Sequence, residues 1–220
     1  MKVEQAGVNT VSWDEPLRRI MEQLARSEPT PGGGSVASIV AALGAAMTSM
    51  TANFSQGEGY EHIEQHVAQA LQDMEYISSA CEWLMVEDIE AFGQYIEALQ
   101  LPKLTPQQQE ERRHMIDELR IQSIDTPLRL MECCLYGMYS AAPLIAVCNR
   151  TVLSDVGIGI ILFEAAAHSS LLTVNINLVT LKDEQHKQTY AGYATVLMNK
   201  ITDRKMELLE QVQRRIYEKD

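Results

Sequence analysis

The chain has 220 residues, of which 46% are hydrophobic and 22% are charged, a balance typical of a globular protein and not of a disordered one. A chain of this length can bury a substantial core without disulfides or metals. Its 30 acidic and 18 basic residues give a formal net charge of −12, which argues against nucleic acid or a membrane surface as the main partner. The four cysteines form no Cys-x-x-Cys pair, and residues 1–11 contain no apolar run, so we expect a cytoplasmic protein without a signal peptide.

A run of prolines and glycines separates the first two predicted helices. The first helix is predicted at about 13–26, and the run at 28–35 ends it. The second helix begins there, and the chain carries no charged residue from 31 to 57, a length that would suffice for a membrane span. Because serine, threonine and asparagine are scattered through it and alanines recur every four residues, we expect a buried, closely packed helix instead.

The third predicted helix carries a heptad seam with one acid in it. Seam positions alternate steps of four and three from Val67 to Leu99, a length of about 50 Å. Asp88 falls on this seam between Met85 and Phe92. A carboxylate there must be paired or protonated, and burial raises its pKa. Asp88 is therefore a candidate general acid, although a polar residue that fixes helix register by hydrogen bonding would follow the same pattern.

The rest of the chain also indicates helices. Thr105 and Pro106 are suited to the N-cap and first position of a fourth helix, which is predicted to end near residue 142. A polar loop at 148–151 precedes a fifth helix at about 156–172, with Ser154 and Asp155 as its cap. A charged, amphipathic helix is predicted at 182–218. The prediction is one all-α domain over residues 1–220, an antiparallel bundle of five to six helices.

Other possible sites carry weaker patterns. The glycines at 32–34, followed by Ser35, would let a ligand approach the backbone at a helix start, but a simple turn between helices explains them equally well. Asn177 lies in an apolar segment, where it suits ligand binding or interhelical hydrogen bonding. His62 and His66 have the spacing of two zinc ligands without an evident third, so we expect no metal site.

Five blocks of sequence together resemble one known family. They are Thr30 to Ala37 with the helix that follows, Asp88 to Phe92, Leu101 to Lys103 with Thr105 and Pro106, Ser154 to Gly157, and Ile176 to Leu178. Their order and spacing are similar to those of the formiminotransferase-cyclodeaminase C-terminal family, which includes stand-alone methenyltetrahydrofolate cyclohydrolases. The resemblance covers nearly the whole chain.

This resemblance implies a homodimeric, all-helical folate enzyme with no cofactor beyond its tetrahydrofolate substrate. The family's cyclodeaminases close formiminotetrahydrofolate to methenyltetrahydrofolate and release ammonia, whereas its cyclohydrolases open methenyltetrahydrofolate with water. The family's proposed proton donor falls on Asp88. The resemblance further implies that the substrate is bound by Gly32, Gly33, Gly34, Ser35, Lys103, Asn149, Ser154, Asp155 and Asn177, with Lys103 facing the anionic glutamate tail.

The chain also departs from the family pattern. Thr173 and Asn175 stand where the family often has asparagine and arginine, Val86 replaces an aspartate, and only Asn149 remains of a Gly-Asn-Pro-Asn loop. The choice between the two reactions stays open, although the lack of a fused formiminotransferase segment favours the cyclohydrolase. The departures also allow a catalytically altered paralogue that binds folate or a protein partner as a helical dimer.

Overall fold

Six α-helices account for most of the chain in a computed structural model that describes residues 12–218. Residues 1–11, for which no signal peptide is expected, and residues 219–220 lie outside the described part. Two short 3-10 helices and no strand occur among the described residues, so the all-α prediction is confirmed. The helices are α1 (Leu17–Leu24), α2 (Gly33–Asn53), α3 (Glu64–Gln100), α4 (Pro106–Val147), α5 (Leu153–Leu178) and α6 (Glu184–Tyr217).

The centre of the fold is the close packing of α2 against α5. A Cβ atom placed on Gly44 of α2 would lie 3.0 Å from the carbonyl oxygen of Gly159 in α5. A Cβ atom on Gly159 would lie 2.7 Å from the Thr48 hydroxyl oxygen. A Cβ atom on Gly159 would also lie 2.9 Å from the Gly44 carbonyl oxygen, closer than real Cβ atoms come, so the two backbones can approach because these positions are glycine. This close packing is what the recurring small residues predicted.

Helix boundaries agree with the sequence in one place and differ in another. Thr105 caps α4 as predicted, and Gln108 completes a capping box with it. The predicted end of α4 near residue 142 is wrong, because α4 continues through Pro143 to Val147. There Arg215 of α6 donates to the carbonyl oxygens of Ile145 at 2.6 Å and of Cys148 at 2.7 Å, which satisfies the helix terminus.

The start of α5 also differs from the prediction. It begins at Leu153 and its N-cap position is Val152, which makes no side-chain capping bond. Ser154 and Asp155 therefore lie inside the first turn and do not cap the helix. A carboxylate in the first turn is still favourable, because it faces the positive end of the helix dipole. The capping amide in this region belongs to Asn149, whose side chain accepts from Thr151.

Three helical segments are long and apolar enough to cross a membrane, judged by length and composition alone. They are Gly33–Asn53, Pro106–Val147 and Arg150–Leu178, and 44 to 56% of their most apolar windows is buried inside the fold.

Candidate functional site

A cavity of about 310 Å³ lies where the start of α2 meets the middle of α3 and α4 and the end of α5. Its wall combines an acid, a cation, hydroxyl and amide groups, and aromatic and aliphatic side chains. The lining residues are Pro29, Thr30, Gly32, Gly33, Gly34, Asp88, Ala91, Phe92, Tyr95, Leu119, Arg120, Ser123, Thr126, Thr173, Ile176, Asn177 and Thr180.

The carboxyl group of Asp88 lies directly against the first turn of α2. A Cβ atom on Gly34 would stand 2.3 Å from Oδ2 and 2.6 Å from Cγ of Asp88, so the carboxyl group occupies the space that a side chain at position 34 would need. Gly32 occupies the N-cap position of α2 and has no side chain with which to cap the helix. The glycine run is therefore more than a flexible turn, because it lets the α2 backbone form one wall around the acid.

The environment of Asp88 favours its protonated form. Burial raises the pKa of Asp88 from 3.8 to about 6, and the neighbouring charge of Glu87 adds to the increase. Glu87 itself is held by Arg129 at 2.8 Å and by the Thr126 hydroxyl at 3.3 Å. Two adjacent acids thus have different surroundings: Glu87 forms an ion pair, and Asp88 faces the cavity with a pKa suited to proton transfer near neutral pH.

Polar groups on α4 and α5 complete the cavity. Asn177 donates from its side chain to the Ser123 carbonyl oxygen at 2.7 Å, which fixes its amide at the wall. Arg120 donates to Asp117 at 2.8 Å, while its Nε is buried without a hydrogen-bond partner. The hydroxyl groups of Thr30 and Ser35 are also buried without partners. Buried groups of this kind are rare in folded proteins and call for an explanation.

The structure brings five of the predicted site residues together. Asp88, Gly32, Gly33, Gly34 and Asn177 all line the cavity. Sequence reasoning missed its α4 wall, above all Arg120, Ser123 and Thr126. Their helix was predicted, but no motif marks these positions, and only the packing of α4 on α3 turns them toward Asp88.

The other predicted residues lie elsewhere. Ser35 is 1% exposed behind the cavity wall, and Lys103 is exposed in the connection between α3 and α4. Asn149 lies beyond the other end of α2, about 30 Å away along that 21-residue helix, where its backbone N–H donates to Ser55. Ser154 and Asp155 lie in the first turn of α5, beside that same end of α2 near Thr51. These three residues do not line this cavity, and their part in substrate binding stays a prediction. Within residues 12–218, no group of three or more His, Cys, Asp or Glu side chains is placed to hold a metal ion.

The fold and the cavity define an all-helical protein with a half-buried acid of raised pKa beside a glycine-walled pocket. The sequence profile of the Formiminotransferase-cyclodeaminase family matches residues 16–195. The chain therefore belongs to this family.

Individual relatives agree with that assignment. A protein of Methylorubrum extorquens named methenyltetrahydrofolate cyclohydrolase is 32% identical over 174 residues, which are 79% of this chain and 84% of that protein. The formimidoyltransferase-cyclodeaminase of Mus musculus is 30% identical over 84% of this chain, but the match covers only 35% of the longer mouse protein. A crystal structure of formiminotetrahydrofolate cyclodeaminase from Thermotoga maritima has the same fold, with a TM-score of 0.81 over 93% of this chain and 98% of that one at 21% identity.

Proposed function

We propose that this chain is a folate one-carbon enzyme, first of all a methenyltetrahydrofolate cyclohydrolase, in which Asp88 transfers the proton. The observation that carries the proposal is the Asp88 carboxyl group, held against the α2 backbone at Gly34 and open to a cavity of about 310 Å³. The cyclohydrolase is placed first because the relative of that name is 32% identical over 84% of its own length.

The chemistry suits one carboxyl group that gains and loses a proton. In methenyltetrahydrofolate the carbon that joins N5 and N10 belongs to a cationic group, which an ionised Asp88 would stabilise. As water attacks this carbon, Asp88 accepts one of its protons, and the carbon becomes tetrahedral. Asp88 then donates the proton to the departing nitrogen while its C–N bond breaks. The reaction consumes one water, and one proton is released because the cation becomes a neutral formyl amide.

A second candidate reaction is the cyclodeaminase reaction, which the mouse relative's name and its 30% identity support. Here N10 attacks the formimino carbon and ammonia departs. The imino nitrogen needs two protons to leave as ammonia: N10 loses one as it attacks, and the other would come from the protonated form of Asp88, which the raised pKa makes available near neutral pH. The same side chain would thus act first as a base in the cyclohydrolase and only as an acid in the cyclodeaminase.

Parallel assays with the methenyl and formimino substrates test the proposal. Loss of methenyl absorbance, or release of ammonia, identifies the reaction. Asp88→Asn should lower kcat by about 10²- to 10⁴-fold. Glu90→Gln changes an exposed acid on the same helix and should leave kcat unchanged. An Asp88→Asn variant as fast as the wild type would refute the assigned role, and folate binding without turnover of either substrate would favour the altered paralogue.

The pH profile of kcat/KM separates the two roles of Asp88. If the ionised form starts the reaction, kcat/KM falls as pH drops below about 6; if the protonated form is needed, it falls as pH rises above about 6. The uncatalysed hydrolysis of the methenyl substrate must be subtracted at each pH. A profile that is flat between pH 5 and 7, within about twofold, would contradict both assignments.

We also propose that the protein is a homodimer. Apolar side chains remain exposed along α2 and α5 of the single chain, among them Leu43, Met50, Ile161, Leu172 and Ile176. A second copy would cover such a surface. Light scattering during gel filtration should give twice the 24.7 kDa of one chain, and a mass of one chain at micromolar concentration would contradict this proposal.

A further inference from the structure

Arg120 is the cation in the wall of the cavity. Among the described residues that line it, Arg120 is the only basic one and Asp88 the only acidic one. The Arg120 Nη1 donates to Asp117 at 2.8 Å, which anchors one edge of the guanidinium group. Its Nε is buried and has no hydrogen-bond partner. Since a buried N–H group without an acceptor is unfavourable, this edge is suited to an acceptor that a ligand supplies.

The position of Arg120 along α4 separates it from the acid. Thr126 donates to Glu87, the residue before Asp88, and so marks the level of the acid on α4. Arg120 precedes Thr126 by six residues, which places it about 9 Å along the helix axis toward the turn between α3 and α4. Phe92, one turn past Asp88 on α3, lies in the wall between the two levels, and Tyr95 and Leu119 line the wall near the level of Arg120. The cavity therefore has an acid at one level, an aromatic side chain beyond it, and a cation beside apolar side chains at the next.

We propose that Arg120 binds a carboxylate of the substrate's glutamate tail while Asp88 acts on the bridge carbon. The inference rests on the proposed function, because it takes the ligand to be a folate. A folate carries its reacting carbon and its tail carboxylates on opposite sides of an aromatic benzoyl amide, the same order as acid, aromatic side chain and cation. A guanidinium group offers the two parallel N–H donors that a carboxylate accepts. Lys103, exposed in the connection beyond, stays a prediction for the same tail.

The test compares two arginines of α4 on two substrates. Arg120→Gln is measured with methenyltetrahydrofolate and with its glutamate dimethyl ester, which keeps the reacting centre but has no tail charge. Arg113→Gln is the matched control, because Arg113 lies on the same helix in a similar pair with the acid three residues before it, outside the cavity. Circular dichroism melting of each variant shows whether it folds.

We expect Arg120→Gln to raise KM for the charged substrate about 10- to 100-fold with kcat changed less than about twofold. The KM of Arg120→Lys for the charged substrate should lie between those of the wild type and Arg120→Gln, because lysine keeps the charge but lacks the two parallel N–H donors of the guanidinium group. For the wild type, KM should be higher for the ester than for the charged substrate by the same factor. For the ester, the KM of Arg120→Gln should equal that of the wild type. Arg113→Gln should match the wild type on both substrates.

Two results would overturn the inference. An unchanged KM in Arg120→Gln removes Arg120 from binding, and an equal rise in KM on both substrates assigns it to another part of the ligand or to the fold. If the wild type itself neither converts nor binds the folate by calorimetry, the proposed function fails, and this inference fails with it. Normal wild-type turnover together with an unaffected Arg120→Gln variant overturns only the role of Arg120.

Discussion

The two ends of α2 differ in whether their polar groups have hydrogen-bond partners. At the C-terminal end, the Ser55 hydroxyl donates to the Thr51 carbonyl at 2.8 Å and accepts the Asn149 backbone N–H at 2.9 Å. The Asn149 side chain accepts both the backbone N–H and the hydroxyl of Thr151. At the N-terminal end, the hydroxyl groups of Thr30 and Ser35 and the Nε of Arg120 are buried without partners. We call the C-terminal end, whose polar groups are paired with one another, the closed end of α2. We call the N-terminal end, where these groups lack partners, the open end.

This difference separates structural polar residues from candidate ligand-binding ones. A buried group that is already paired contributes to the fold, whereas an unpaired one can form a hydrogen bond with a ligand only where it also lines a cavity, as Arg120 does and the equally unpaired Nε atoms of Arg112 and Arg204 do not. Asn149 is the instructive case, since the family resemblance places it in the substrate site and the structure gives it a capping role in this chain. Arg120 is the reverse case, because nothing in the sequence distinguishes it from the other arginines of α4.

The largest effect is expected at the open end, from Gly34→Ala. The added methyl group would lie 2.3 Å from Asp88 Oδ2, so the carboxyl group must move away from its place. We expect activity to fall about 100-fold or more, because a displacement of about 1 Å in a reacting group has effects of that size. Gly192→Ala in α6 is the control, since its Cβ atom would meet nothing within 4 Å and it should keep full activity. Full activity in Gly34→Ala would mean that the contact between Gly34 and Asp88 has no part in catalysis.

The raised pKa of Asp88, at the open end, should lower the free energy of unfolding at neutral pH. The folded pKa of Asp88, about 6, lies above its ordinary 3.8, so the folded chain holds the proton more tightly than the unfolded chain does. Well below pH 3.8 both states are protonated and the shift has no effect. Between about pH 3.8 and 6 the unfolded chain ionises while the folded chain keeps its proton, so stability falls as pH rises, by up to about 3 kcal/mol once the pH is above 6.

Asp88→Asn removes this charge and should therefore be more stable than the wild type, although its kcat is lowered. Its gain over the wild type should be small at pH 4, grow as pH rises and level off above about pH 7, at up to about 3 kcal/mol. Urea unfolding at several pH values measures it, with Glu90→Gln as the control whose difference from the wild type should stay flat. A gain from Asp88→Asn that does not change with pH would show that Asp88 carries no raised pKa in the folded chain.

Sequence reasoning reached the acid and the glycine wall but not the cation, for physical reasons. Asp88 is visible because a carboxylate interrupts an apolar heptad seam, whereas the glycine run by itself fitted a simple turn equally well and became a site prediction through the family resemblance. Arg120 is one of many charged residues on a long helix, and its position at the cavity depends on how α4 packs on α3. The end of α4 was predicted too early for a similar reason: Pro143 usually ends a helix, but here the tertiary contact with Arg215 stabilises the turn that follows it.

The smallest effect is expected at the closed end, from Arg215→Gln. Arg215 donates to the Ile145 and Cys148 carbonyl oxygens at the terminus of α4, and its charge faces the negative end of that helix dipole. Losing it leaves partly buried carbonyl groups without donors and should lower the free energy of unfolding by about 1–2 kcal/mol, as urea unfolding would measure. Because this terminus lies about 30 Å from Asp88 along α2, kcat and KM should not change. A loss of activity without a loss of stability would show that the closed end takes part in catalysis after all, and that a saturated hydrogen-bond network is no sign of a purely structural role.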